Sequence, residues 1–122
     1  MPIAIQLHQT VANALLLLML LLGLWGIFMG LIKRPLGGGF RATYVLSMGV
    51  FGLQAVIGGV LWLSGARPRD TLHILYGIAP FLALGYALSY ASHMKPRKEA
   101  FTLGFAALFT FGLIIRAFTT GR

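Results

Sequence analysis

The sequence predicts an all-α integral membrane protein that folds as a single four-helix antiparallel bundle. Of its 122 residues, 58% are hydrophobic and only 10% are charged, whereas roughly a quarter of residues are charged in soluble domains. The apolar residues form four runs, each close to the 20 or so residues that cross a hydrocarbon core. This composition excludes a water-soluble domain and a disordered chain. The absence of cysteine excludes disulfide scaffolds and thiolate metal sites.

The four predicted spans, taken in order, cover residues 3–32, 43–64, 71–93 and 100–119 of one transmembrane domain, 1–122. The first lacks the basic start of a signal peptide, and its apolar run exceeds the 7–15 residues of such a segment, so we expect it to be retained. Gly and Pro residues in the gaps predict breaks between the helices. The breakers are Pro35 with Gly37–Gly39, Gly65 with Pro68, and Pro96. Because the gaps are short, consecutive helices should be antiparallel neighbours.

The net charge of +8 reflects ten Lys and Arg residues against Asp70 and Glu99. The basic residues lie in the gaps and at span ends, where they contact lipid phosphates, so nucleic acid is not expected as a partner. Six of them fall on one side of the membrane and four on the other, which favours both termini outside, in a bacterial cytoplasmic membrane. The four on the side of the termini are Arg67, Arg69, Arg116 and Arg122.

Polar side chains inside apolar spans are costly, and each is therefore a candidate for function. These residues are His8, Gln9, Asn13, Gln54, His73, His93 and Arg116. The predicted spans contain no Asp or Glu. This excludes paired-carboxylate hydrolases, carboxylate di-metal bundles and a Ser/His/Asp arrangement.

Two of the histidines are predicted to lie at the same depth. His8 and His73 lie near the starts of the first and third helices, which run parallel and sit diagonally in a four-helix bundle. Two inward-facing imidazoles at equal depth could ligate one haem iron from both sides. Small residues expected beside the ring are Ala12, Gly58, Gly59 and Gly77. Gly23, Gly26 and Gly30 are expected to continue this small-residue face deeper into the membrane, unless these glycines serve helix packing.

Arginines near the same end would suit the two haem propionates, because a guanidinium pairs with a carboxylate in a bidentate manner. The candidates are Arg67, Arg69 and Arg116. Simpler interpretations remain open for each group. Arg116 could be a snorkelling residue, and His93, like any single histidine near a helix end, is interpreted as an interfacial residue.

Four segments resemble the haem A synthase family. They are HQTVANA at residues 8–14, QAVIGGVLWLSG at residues 54–65, the Arg-Pro-Arg of residues 67–69, and LHILYG at residues 72–77. The resemblance implies one four-helix half of an eight-helix protein, with His8 and His73 ligating a b-type haem. Ile5 stands where the family's catalytic half carries a glutamate, and the cysteines of many members are absent. The sequence therefore resembles the half that holds the cofactor, or more generally a small four-helix b-type membrane cytochrome, and enzyme activity is not expected.

The function expected from these residues is bis-histidine binding of haem b, for electron transfer or as a haem-bearing subunit of a redox complex. The partners would be the lipid bilayer and either a second copy of the chain or a larger redox assembly. Two alternatives stay open. One is a cofactor-free structural subunit of a respiratory or photosynthetic complex, and the other is a quinone-binding protein in which His73 or Gln54 bonds a quinone carbonyl.

Overall fold

A computed structural model describes residues 2–67 and 71–121, with side chains for 3–67 and 71–120. It contains four helices: α1 (Pro2–Leu31), α2 (Gly38–Leu63), α3 (Leu72–Ala91) and α4 (Pro96–Gly121). The described part of the chain has no β-strand, and the predicted all-α fold class is confirmed. All four helices are long and apolar enough to cross a bilayer. The protein is therefore an integral membrane protein.

Two helices begin earlier than the sequence predicted, because residues interpreted as breakers start them. Pro96 is the first residue of α4, where its fixed φ suits the helix and its missing N–H costs no hydrogen bond. Gly37 has extended backbone angles (φ −84°, ψ 172°) and caps α2, which starts at Gly38. The glycines at 38 and 39 therefore lie in the first helical turn and not in the connection.

The helices form a ring in chain order. α1 packs against α2 and α4, and α3 packs against the same two helices, while α1 and α3 have no close backbone contact within the described residues. α1 and α3 are therefore diagonal, as predicted. We call the end of the bundle that holds the starts of α1 and α3 the termini end, and the opposite end the loop end.

The closest helix pair is α1 with α4, and glycine permits this approach. A Cβ added to Gly26 would lie 2.8 Å from the Cα of Gly104, and a Cβ added to Gly104 would lie 2.9 Å from the backbone nitrogen of Ile27. Gly23 and Gly30 face Leu108 and Phe101 of α4 in the same way. The expectation that these α1 glycines line a haem pocket is wrong, because α4 occupies the space beside them.

Polar bonds tie α2 to the rest of the bundle. The buried Tyr44 hydroxyl donates to the Leu84 carbonyl of α3 over 2.8 Å. At the loop end, Arg41 of α2 forms an ion pair with Glu99 in the first turn of α4.

At the termini end, α2 ends in a turn where Gly65 adopts a left-handed φ of 102° and the Ala66 N–H donates to the Leu61 carbonyl over 2.9 Å. A glycine is required there because a side chain would strain that backbone.

We predict that Gly104→Ala destabilises the bundle, because its new Cβ would push α1 and α4 apart. The expected loss is about 1–3 kcal/mol, as for overpacking of a tight core. Gly112→Ala on the same helix is the control, since a Cβ there meets no described atom within 4 Å and alanine favours the helix by up to about 1 kcal/mol. Unfolding followed by circular dichroism in detergent measures both variants. Equal stability of the two variants would contradict the packing described here.

Candidate functional site

A cavity of about 890 Å³ lies at the termini end of the bundle. All four helices contribute to its wall, which is mainly apolar. The polar side chains among the described residues that line it include those of His8, Gln9, Gln54, Arg67 and His73. The volume falls in the range of about 300–1,000 Å³ that is typical of small-molecule and cofactor sites.

The two histidines predicted to act together face each other in this cavity. The ring centroids of His8 and His73 are 6.2 Å apart, and the ring planes are inclined by 67°. Their helices, α1 and α3, are diagonal, so the two side chains bridge a space that the helix backbones do not close. This pair is the strongest chemical feature of the cavity.

The His73 ring is held by α4. Its Nδ1 lies 2.9 Å from the carbonyl oxygen of Ala117 and 3.5 Å from the hydroxyl of the buried Thr120. A carbonyl oxygen can only accept a hydrogen bond, so we assign the proton to Nδ1. In the neutral ring, the Nε2 atom of His73 then carries a lone pair suited to a metal.

His8 is anchored to α2 through its backbone. The Gln54 side-chain nitrogen donates to the backbone carbonyl of His8 over 2.6 Å, and the His8 Cε1 atom lies 3.4 Å from the position of a Cβ on Gly58. The Nδ1 of His8 and the Oε1 of Gln54 are buried and have no hydrogen-bond partner among the described residues. An unpartnered buried polar atom costs about 1–3 kcal/mol, so this pair of atoms requires a functional explanation.

The small residues predicted to flank the histidines all line the cavity. They are Ala12, Gly58, Gly59 and Gly77. A Cβ added to Gly59 or Gly77 would meet no described atom within 4 Å. The space next to these two glycines is therefore open, and a flat ligand could lie against the backbone.

The predicted arginines are placed differently from one another. Arg67 lines the cavity, stacks 4.1 Å from the Trp62 ring centroid and donates to the Trp62 carbonyl. Arg116 is not among the described residues that line the cavity. Its guanidinium lies 5.8 Å from the ring centroid of Tyr76, which does line it. Arg69 lies outside the described residues.

Sequence reasoning missed the α4 residues that hold His73. Ala117 acts through its backbone, which leaves no signal in the residue type. Thr120 follows Arg116 by four residues on α4. Two polar residues one turn apart near the end of an apolar helix could have indicated a polar contact there. His93, interpreted as interfacial, is exposed beyond the end of α3, at the loop end and far from the pair.

The described residues contain no group of three or more His, Cys, Asp or Glu side chains that could hold a metal ion. Protein ligands alone would therefore leave a bare ion bound by the histidine pair with too few donors. A metal that brings its own equatorial ligands, as a haem does, needs two axial side chains at most.

Comparison with known proteins finds no match to this chain among protein-family models, curated proteins or solved structures. The resemblance to the haem A synthase family therefore stays a prediction that rests on the segments quoted above.

Proposed function

We propose that the protein binds one b-type haem at the termini end, with His8 and His73 as axial ligands, and that it carries single electrons or serves as a haem-bearing subunit of a redox complex. The observation that carries the proposal is the pair of imidazoles facing each other across the bundle inside a cavity of about 890 Å³. His8 belongs to α1 and His73 to α3, two diagonal helices, so a metal bound by both would link α1 to α3.

The distance between the rings supports a shared metal. Two imidazoles that bind one metal from opposite sides through bonds of about 2.0–2.1 Å place their ring centroids about 6 Å apart. The separation of His8 and His73 is 6.2 Å. The open backbone at Gly59 and Gly77 leaves room beside the axis between the rings.

The pairing of two imidazoles favours a metal over a quinone. Quinone carbonyls accept hydrogen bonds, and a quinone at this site would use the ring N–H of His8 while leaving the lone pair of the His73 Nε2 without a role, since the His73 Nδ1 already donates to the Ala117 carbonyl. A metal between the two rings would use one lone pair from each.

The chain's own residues would bind and tune the group. Neutral imidazole nitrogens of His8 and His73 would supply the axial lone pairs, and the apolar walls would exclude water from the site. Haem, when bound, supplies one-electron redox chemistry whose potential depends on axial ligands, burial and nearby charge. Arg67 lies where a carboxylate at the cavity edge could pair with it. We propose no catalytic residue.

The proposed setting is a bacterial cytoplasmic membrane with both termini outside. Its support is the excess of basic residues at the loop end, namely Lys33, Arg34, Arg41, Lys95, Arg97 and Lys98. A second copy of the chain, or a larger redox complex, would supply the electron partner.

We expect His8→Ala and His73→Ala each to abolish the bis-histidine spectrum, because each removes one axial ligand. His93→Ala is the matched control and should retain the spectrum, since this residue lies at the opposite end. Absorption spectra of the three purified variants after haem reconstitution give the readout. A bis-histidine spectrum that survives either of the first two substitutions would contradict the ligand assignment.

We expect Gly77→Leu to lower haem affinity at least tenfold while the bundle stays folded, because the new side chain would occupy open space in the cavity wall. Gly112→Leu is the control: a Cβ there is equally free of described neighbours, but Gly112 is not among the described lining residues. Haem titration of both apoproteins, with circular dichroism for folding, measures the difference. Equal affinities would place the ligand elsewhere.

For the propionates, we expect Arg67→Leu to speed haem loss by about two- to fivefold, the scale of a solvent-exposed ion pair. Arg116→Leu should have a smaller effect, because its guanidinium lies over Tyr76 and outside the cavity wall. Arg67→Lys should be intermediate, since an ammonium cannot reproduce the bidentate geometry. Haem transfer to an acceptor protein measures the rates, and unchanged loss from the Arg67 variants would remove this residue from the site.

A further inference from the structure

Two neighbouring side chains at the site each carry a buried polar atom that lacks a partner among the described residues. These atoms are Nδ1 of His8 and Oε1 of Gln54. The Gln54 amide lies beside residue 8, because its nitrogen donates to the backbone carbonyl of His8 over 2.6 Å. The His8 ring also lies against α2, one turn from Gln54, where its Cε1 is 3.4 Å from the Cβ position of Gly58.

The two unpartnered atoms are chemically complementary. The carboxamide oxygen of Gln54 is an acceptor, and the Nδ1 of a neutral imidazole is a donor when the proton sits on that nitrogen. The anchored nitrogen fixes which atom of the amide remains free. Gln54 therefore offers an acceptor that stays beside His8 and is satisfied by nothing else in the described structure.

The two histidines differ in whether an acceptor is bonded to the ring N–H that does not face the metal. Histidines that bind a metal almost always donate their other ring N–H to a carbonyl, a carboxylate or water, which fixes the tautomer and raises ligand basicity. His73 already has such an acceptor in the Ala117 carbonyl. The Nδ1 of His8 has no acceptor among the described residues, and Gln54, which lies beside it, has a free acceptor oxygen.

We infer that Gln54 is the positioning residue for His8: its Oε1 accepts the Nδ1–H of His8 when the Nε2 of that ring ligates the metal. This inference rests on the proposed haem function. Each histidine then donates its second ring N–H to a different helix. His8 donates to the Gln54 side chain of α2, and His73 donates to the Ala117 backbone carbonyl of α4.

The test compares Gln54→Leu and Gln54→Glu with wild type, after reconstitution of the full chain with haem b. The readouts are haem affinity and the midpoint potential from a redox titration. Gln54→Leu should weaken haem binding 10- to 100-fold and raise the potential, because a less basic imidazole stabilises ferric iron less. Gln54→Glu should lower the potential below that of wild type, because a carboxylate acceptor makes the imidazole more basic.

The glutamate variant separates positioning from simple anchoring of α1. It keeps an acceptor for Nδ1 but loses the N–H that bonds the His8 carbonyl, so loss of anchoring alone would make it behave like the leucine variant. Gln6→Leu, at an exposed glutamine of α1 that is not among the described lining residues, should retain wild-type affinity and potential. If Gln54→Leu does not fold, the glutamate variant decides alone.

A potential for Gln54→Glu that equals or exceeds that of wild type would overturn the inference, and so would wild-type values for a folded Gln54→Leu. These outcomes differ from failure of the proposed function itself. In that case the wild-type protein would bind no haem under conditions that saturate a bis-histidine site.

Discussion

Close backbone packing between α1 and α4 is the constraint on which the rest of the bundle depends. In a hydrocarbon solvent, apolar side chains gain little by leaving lipid for one another, so helices associate where small residues let backbones meet. Gly26 and Gly104 provide that meeting point, and α3 packs on the other side of α4. The helix α2 contributes the buried side chains of Phe40, Tyr44 and Phe51 to the core and also makes three polar bonds to its neighbours. These bonds are Tyr44 to the Leu84 carbonyl, Arg41 to Glu99, and Gln54 to the His8 carbonyl.

The site follows from this unequal packing. Tight contact at the α1–α4 glycines leaves the free volume at the termini end, next to α2, where Gly58 and Gly59 place no side chain in the way. The ring order of the helices puts α1 and α3 on a diagonal, and His8 and His73 then meet across the centre. Each histidine is bonded to a helix other than its own: His8 through its backbone carbonyl to Gln54 of α2, and the His73 ring to the Ala117 carbonyl of α4. The positions of α2 and α4 therefore bear on the separation of the two rings.

The fold could be predicted from the sequence because the length and hydropathy of the four spans indicate transmembrane helices. The short gaps between them require consecutive helices to be antiparallel neighbours. The depth of His8 and His73 followed from the same topology, so their meeting could be anticipated from helix direction alone. The partner of Gly26 could not, since a glycine suits a ligand wall and a helix contact equally well. Nor could the support of His73, because the Ala117 carbonyl belongs to the backbone. Pro96 shows the same limit, because a proline both ends and begins helices.

The haem content and the iron spin state of the wild-type protein test haem binding through His8 and His73 most directly. The full chain, expressed in cells with ample haem and purified in detergent, would be assayed for haem per polypeptide and by electron paramagnetic resonance. Haem binding through both histidines predicts one haem per chain with the low-spin ferric signal of two imidazole ligands. A colourless protein, or a haem whose iron is high-spin, would contradict it.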